Sequence, residues 1–145
     1  MICPMSSEDI EEVSEIEKAS FSRPWTKKNF EESLNLSDAF FIVFKDDDTN
    51  VIMGYLGMYF SPDEMGIMNV AVSPKYRRCG VADALLKKAM DTASEKKVSY
   101  VYLEVRKTNI AAINLYEKHG LKALGIRKGL YEDPKEDGIV MGKDI

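Results

Sequence analysis

The sequence predicts an α/β (α+β) fold in which helices pack on a sheet whose first strands are antiparallel. Three β-rich runs, at residues 39–44, 51–59 and 66–72, are separated by polar turns and precede the first long helix. Runs of β-branched and aromatic residues between short turns are typical of antiparallel strands. Residues 82–93 then repeat apolar side chains at helical spacing, which predicts an amphipathic helix that packs on that sheet.

The rest of the chain continues these two patterns. The other predicted elements are helices over residues 6–20, 26–34 and 111–119 and strands over residues 100–105, 121–127 and 139–143. Between the first two helices, Phe21 and Trp25 are expected to lie in the core rather than in a pocket wall.

The size and composition predict one folded unit. Hydrophobic residues make up 45% of the chain and charged residues 30%, which is the balance of a soluble globular protein. No repeat, linker or low-complexity tract interrupts the chain, and 145 residues suffice for one continuous core. We therefore expect a single domain that spans residues 1–145.

Charge and hydropathy restrict the partners. The net charge of -4 and the pI near 5.1 argue against nucleic acid, because phosphate binding requires a basic surface. Residues 1–5 lack the basic stretch and the long apolar run of a signal, and no segment is apolar enough to span a membrane. We expect a cytoplasmic protein, monomeric or weakly dimeric, that does not bind membranes.

Two cysteines and one histidine offer little for metal or thiol chemistry. Cys3 and Cys79 are far apart in the sequence, and neither has metal-ligand spacing around it, so no metal is expected. His119 could act as the base of a cysteine nucleophile, but its place at a helix end before Gly120 favours a structural charge.

A strand that turns into a helix carries the strongest chemical signal. Residues 70–82 contain an apolar strand, then Arg77, Arg78 and Gly80, and then the start of the long helix. Free N–H groups and the helix dipole favour an anion at such a junction, and Gly80 allows a close approach. An ordinary turn is the alternative, since neither a P-loop nor a Rossmann glycine pattern is present.

The residues of this junction and of the following segments resemble a known family. Arg77-x-x-Gly80-x-Ala82 resembles the Gln/Arg-x-x-Gly-x-Gly/Ala pyrophosphate loop of the GNAT superfamily of acetyltransferases. Leu103-Glu104-Val105-Arg106 and Asn109-x-x-Ala112-x-x-Leu115-Tyr116 are similar to signatures of its ribosomal-protein-alanine N-acetyltransferases. Phe21-x-x-Pro24-Trp25 and Ile126-Arg127 extend the resemblance over nearly the whole chain.

The resemblance implies a fold and a cofactor site. The GNAT fold has a mixed, mostly antiparallel sheet whose two central strands splay apart to receive the pantetheine arm of acetyl-CoA. By resemblance, the backbone of the strand before the loop binds acetyl-CoA, the loop cradles the pyrophosphate, and an asparagine contacts the cofactor. These expected cofactor-binding residues are Val70, Ala71, Val72, Arg77, Arg78, Cys79, Gly80, Val81, Ala82 and Asn109.

The resemblance also implies catalytic roles. Glu104 matches the position of the family's general base, although by itself it could be a surface residue of a strand. Tyr116 matches the general acid that protonates the departing thiolate, although an aromatic residue in a helix is more often part of the core. Tyr131 is the expected substrate-binding residue, and only one of the family's two tyrosines remains here because position 130 is Leu130.

Three functions remain open from the sequence. The resemblance implies acetylation of the N-terminal alanine α-amine of a ribosomal protein (S18-like). The alternatives are acetylation of a small amine, such as a polyamine or an amino acid, and a non-catalytic acyl-CoA-binding module. Acidic residues at positions 132, 133, 136 and 137 suit a cationic acceptor of either kind. Asp83 departs from the family by placing a negative charge near the expected phosphate site.

Overall fold

The computed structural model describes residues 1–145 and contains every helix and strand that the sequence predicts. In chain order, the elements are β1 (Ile2–Pro4), a 3-10 helix (Ser7–Asp9), α1 (Ile10–Ser20), α2 (Lys27–Leu34), β2 (Ala39–Lys45), β3 (Ile52–Phe60), β4 (Glu64–Val72), a 3-10 helix (Pro74–Tyr76), α3 (Val81–Glu95), β5 (Tyr100–Arg106), α4 (Ile110–Lys118), β6 (Lys122–Tyr131) and β7 (Glu136–Asp144). Strand β1 and the two 3-10 helices were not predicted. None of the helices combines the length and apolarity that a membrane crossing requires.

All seven strands form one sheet in the order β1-β2-β3-β4-β5-β7-β6. Every neighbouring pair is antiparallel except β4 and β5, which are parallel. Between these two strands the chain crosses over through α3, as parallel neighbours require. The predicted fold class, a mixed and mostly antiparallel sheet flanked by helices, is confirmed.

Alternate residues of β3 point into two separate cores, one on each face of the sheet. Leu56 belongs to the larger core, where it joins Leu85 and Leu86 of the long helix α3. Its neighbour Tyr55 belongs to the second core, which α1 and α2 cover. The apolar stripe of α3 is therefore buried against the sheet, as its periodicity predicts.

Strands β4 and β5 pair only at their beginnings. The paired residues run from Glu64 and Tyr100 to Ile67 and Leu103, and no pairing follows. Beyond that point, β4 remains paired with β3 and β5 remains paired with β7. The two central strands thus diverge and leave a gap in the middle of the sheet.

A β-bulge lies at the point of divergence. Gly57 is opposite Asn69 and Met58 is opposite Ile67, so Met68 is an extra residue in β4. A bulge bends its strand and increases the local twist. The bulge therefore turns β4 away from β5 at the residue after their last pair.

The loop between α1 and α2 divides its two aromatic residues between core and surface. Trp25 packs against Phe30, with ring centroids 5.2 Å apart, and joins the edge of the second core as expected, but it is only partly buried and also lines a cavity. Phe21 is 40% exposed and lines a cavity, so its predicted place in the core was wrong. Its position one residue beyond the end of α1 leaves it outside the apolar face of that helix.

We predict that Leu86→Ala destabilises the protein by about 2–5 kcal/mol, because it removes a fully buried side chain from the larger core. The adjacent Lys87→Ala, on the exposed face of the same helix, should change the free energy of unfolding by less than about 0.5 kcal/mol. Urea unfolding of both variants measures the difference. Equal effects would show that this face of α3 is not packed on the sheet.

Candidate active site

A cavity of about 610 Å³ lies where β4 and β5 diverge. Its walls come from the end of α1 and the loop after it, from β4, β5 and α4, and from the loop between β6 and β7. Five of the predicted site residues line it together: Val70, Glu104, Asn109, Tyr116 and Tyr131. The fold therefore brings these five residues together from positions up to 61 apart, the separation of residues 70 and 131.

Glu104 projects into the cavity from β5, just past the last residue that pairs with β4. Its Oε2 accepts a hydrogen bond from Nη1 of Arg127 at 2.5 Å, whereas Oε1 has no partner in the protein. The side chain is 34% exposed. One carboxylate oxygen is therefore held by a guanidinium, and the other is free to accept a proton.

Tyr116 is almost fully buried in α4, yet it also lines the cavity. Its hydroxyl makes no hydrogen bond within the protein. Burial raises the pKa of Tyr116 well above that of a free phenol, and the nearby Tyr131 raises it further. The hydroxyl therefore stays protonated at neutral pH and can donate a proton or a hydrogen bond into the cavity.

Tyr131, at the end of β6, is the third titratable residue of the cavity wall, beside Glu104 and Tyr116. Burial raises the pKa of Tyr131, and the charge of Glu104 adds to the rise. The guanidinium of Arg106 lies over the ring, 4.6 Å from its centroid, which is the distance of a cation–π contact. Tyr131 thus lies close enough to interact electrostatically with both Glu104 and Tyr116.

Arg106 holds the loop that carries this wall of the cavity. Its Nη2 donates to the carbonyl of Glu132 at 2.8 Å, and its Nη1 donates to the carbonyl of Pro134 at 2.9 Å and to Glu136 at 3.1 Å. Hydrogen bonds from a planar, always charged group fix a loop more firmly than neutral ones do. In the sequence, Arg106 was identified only as part of a family signature, and this role of its side chain was not predicted.

A second ion pair joins the two loops across the cavity mouth. Arg23, in the loop after α1, donates from Nε to Asp133 at 2.6 Å. Both residues line the cavity, and both are well exposed to solvent. No pattern in the sequence links these positions, which are 110 residues apart.

The strand-to-helix junction has the features expected of an anion site. Gly80 precedes α3 with φ of 77°, and Arg78 also has a positive φ, of 63°. None of the backbone N–H groups from Arg77 to Asp83 donates to another backbone group. Arg77, Arg78 and Cys79 are exposed. These free donors and two guanidinium groups can bind a phosphate at the start of the helix.

The edge of β4 that faces the gap also has free backbone groups. The N–H of Ser73 donates to Met53 of β3, and in an antiparallel ladder every second residue faces the same partner strand. Ala71 therefore faces β3, whereas Val70 and Val72 direct their N–H and C=O groups into the gap. An extended ligand can bind there as an added strand.

Asp83, in the first turn of α3, does not act as an isolated negative charge. Its Oδ1 lies 2.8 Å from Nε2 of His119 and 3.1 Å from Nζ of Lys118. The hydrogen bond from His119, followed by that from Lys118, lowers the pKa of Asp83. His119 ends α4 and makes this contact, in agreement with its predicted structural role.

Comparisons with known proteins agree with this geometry. Residues 10–121 match the model of the acetyltransferase (GNAT) family. The ribosomal protein bS18-alanine N-acetyltransferase of Escherichia coli K12 is 31% identical, over 99% of this chain and 97% of that protein. A Bacillus subtilis protein provisionally given the same name is 38% identical, over 94% of this chain and 90% of that protein.

Solved structures extend the agreement to three dimensions. The crystal structure of the ribosomal-protein-S18-alanine N-acetyltransferase from Escherichia coli has a TM-score of 0.91 and 29% identity, and the match covers 100% of this chain and 93% of that one. More distant proteins of the same fold have been solved with acetyl-CoA or CoA bound. The chain therefore belongs to the GNAT family of acetyltransferases and is an N-acetyltransferase that uses acetyl-CoA.

Proposed function

We propose that this enzyme transfers the acetyl group of acetyl-CoA to the N-terminal alanine α-amine of a ribosomal protein in the cytoplasm. The observation that carries the proposal is the cluster of Glu104, Tyr116 and Tyr131 at the gap between β4 and β5. The relatives that match over nearly the whole chain are named for bS18-alanine acetylation. That acceptor offers a primary amine, which is the nucleophile the cluster can activate.

The cofactor would bind across the gap and over the start of α3. We assign the pantetheine arm to the free edge of β4 at Val70 and Val72, and the pyrophosphate to the unpaired N–H groups between Arg77 and Ala82. Acetyl-CoA would supply a thioester whose carbonyl carbon is the point of attack for the amine nitrogen. An N–H of the β4 edge can stabilise the negative charge that develops on the carbonyl oxygen.

Glu104 acts as the general base in this scheme. An N-terminal amine has a reference pKa of about 7.7–8.0, so a sizeable fraction is already neutral near physiological pH. The free Oε1 of Glu104 can take the remaining proton directly or through water. A lysine side chain has a reference pKa of about 10.4 and is almost entirely protonated near physiological pH, so the same base would have to remove its proton far more often. The site therefore suits an α-amine better than a lysine side chain.

Tyr116 acts as the general acid. The thiolate that departs from the acetyl group needs a proton, and a buried phenol that stays protonated at neutral pH can supply it. The hydroxyl of Tyr116 has no competing partner in the protein, so its proton is available to the cavity.

The acidic residues beside the cavity contribute less charge than the sequence suggests. Asp133 and Glu136 form ion pairs with Arg23 and Arg106, and Asp137 accepts the backbone N–H of Gly129 at 2.9 Å. Of the four, only the carboxylate of Glu132 has no partner in the protein. We therefore assign to Glu132 the role of attracting a positively charged N-terminal segment toward the cavity mouth.

We predict that Glu104→Gln lowers kcat by about 10²–10⁴-fold, because it removes the proton acceptor. The dissociation constant of acetyl-CoA, measured by calorimetry, should change by less than about twofold. Glu64→Gln is the matched control: Glu64 is exposed at the beginning of β4, outside the cavity, and its substitution should leave kcat unchanged. A Glu104→Gln enzyme with the normal rate would refute the assignment of the base.

For Tyr116→Phe, we expect kcat to fall by about 10²-fold or more while the acetyl-CoA dissociation constant stays the same, since only the proton donor is lost. Tyr102→Phe, on β5 but outside the cavity, controls for the removal of a phenol hydroxyl. The rates are measured from CoA release at saturating substrate. Similar rates for the two variants would show that the thiolate takes its proton from elsewhere.

The proposed acceptor can be tested directly by mass spectrometry. We expect mono-acetylation of a peptide with N-terminal Ala followed by basic residues, confined to the α-amine. A peptide with the same sequence but a blocked N-terminus keeps its lysine side chains and lacks the free α-amine, so it should not react. Polyamines and free amino acids form the comparison panel, and activity on those amines alone would overturn the proposed acceptor but leave the enzyme class intact.

A further inference from the structure

The carboxylate of Glu104 has a single hydrogen-bond partner in the protein, the guanidinium of Arg127. Nη1 of Arg127 lies 2.5 Å from Oε2 of Glu104, and the other donors of Arg127 bind no protein atom. The side chain of Arg127 is 59% exposed and does not line the cavity. The catalytic scheme above gives Arg127 no role, although it alone holds the proposed base.

Arg127 reaches Glu104 across a whole strand, because β7 lies between β5 and β6. Arg127 is opposite Gly138, and Gly138 is opposite Arg106, which lies two residues beyond Glu104. Residues two apart on a strand face the same side of the sheet, so both arginines share one face with Glu104. Two strand spacings amount to about 10 Å. Only a long side chain on β6 can make this contact.

Arg106 is the other cation on this face, and its donors are already used. Its Nη atoms donate to carbonyl groups of the β6–β7 loop and to the carboxylate of Glu136. Arg106 therefore holds the loop and makes no hydrogen bond to Glu104. A glutamate side chain without a fixed partner samples several rotamers. Without Arg127, the carboxylate of Glu104 would be free to turn toward solvent or toward Arg106.

The hold on Glu104 matters for the rate more than for stability. A general base acts within about 2.6–3.2 Å of the proton that it removes, and a misplacement of about 1 Å can lower the rate by about 10²-fold. An ion pair as exposed as this one adds little to the free energy of unfolding. Because Arg127 occupies Oε2, the oxygen left for the acceptor amine is Oε1.

We propose that Arg127 is a positioning residue for acetyl transfer: it holds Oε2 of Glu104 so that Oε1 stays directed toward the acceptor amine. When Oε1 takes up the proton, Oε2 still accepts the hydrogen bond from the guanidinium, so the hold persists through the reaction. Arginine suits this role because it stays charged and presents its donors in a rigid plane. This inference rests on the proposed role of Glu104 as the base and adds the residue that orients it.

The test compares Arg127→Met, which keeps an unbranched side chain but removes the donors, with the unchanged enzyme on the N-terminal Ala peptide. We expect kcat to fall about 10- to 100-fold, while the peptide KM does not rise and the acetyl-CoA dissociation constant changes by less than about twofold. Arg127→Lys keeps a positive charge on a long side chain and should recover part of the lost rate. A normal kcat in Arg127→Met, or a loss confined to a raised peptide KM, overturns the inference.

The matched control is Lys122→Met, which removes a positive charge from the exposed beginning of the same strand, outside the cavity. Its kcat should equal that of the unchanged enzyme. Urea unfolding of the two Met variants should give the same midpoint, which separates a loss of rate from a loss of structure. An equal fall in kcat for both variants would reveal a general effect of charge on β6 and would overturn the positioning role.

The Glu104→Gln background separates the positioning of the base from any other role of Arg127. Arg127→Met should lower kcat strongly in the normal background but by less than about twofold in the Glu104→Gln background, because both changes disable the same carboxylate. Fully additive losses would show that Arg127 acts on another group, and the inference would then be wrong.

Failure of this inference can be distinguished from failure of the proposed function. If Glu104→Gln slows the reaction and Arg127→Met does not, only the inference fails. If Glu104→Gln keeps the normal rate, the assigned base fails and the inference fails with it. If the enzyme acetylates small amines alone, the proposed acceptor fails, and the same variants are measured on the best of those amines. A lowered kcat for that amine then supports the role of Arg127, and an unchanged one overturns it.

Discussion

The parallel pairing of β4 and β5 ends after Ile67 and Leu103, and the rest of the site depends on that ending. Had the ladder continued, the edge groups of Val70 and Val72 would be bonded to β5 and the side chain of Glu104 would lie on a closed sheet. The bulge at Met68 bends β4 at this point, while β3 and β7 keep the outer edges of the two strands paired. The sheet stays intact on both sides of an open centre.

Polar contacts then hold the walls of this opening in place. Arg106 ties the β6–β7 loop to β5, Arg23 ties it to the loop after α1, and Glu17 anchors that same loop through the N–H of Trp25. The aromatic cluster of Trp25, Phe30 and Phe41 supports the loop from below. The candidate catalytic residues are thus carried by strands and a helix, and the loops that complete the cavity are fixed by charge-assisted hydrogen bonds.

Local patterns predicted the elements well because each has a periodicity that does not depend on its neighbours. The stripe of α3 and the β-rich runs of β2 to β4 gave the correct element types, with ends that shifted by one or two residues for most of them. Strand β1 was missed, since Ile2–Pro4 is too short to show alternation and forms only by pairing with β2. Phe21 was misplaced because burial depends on what the loop packs against, which no local pattern records.

The sequence by itself determined the fold class, predicted an anion site at the junction before α3 and, through family resemblance, indicated Glu104 and Tyr116 as catalytic candidates. Only the tertiary structure decided their surroundings: the Arg127 partner of Glu104, the ion pairs of Asp83 and the buried hydrogen bond between Tyr55 and Glu17. The reason is physical. Backbone conformation follows from neighbours along the chain, whereas hydrogen bonds, burial and pKa shifts follow from atoms that meet only when distant segments pack together.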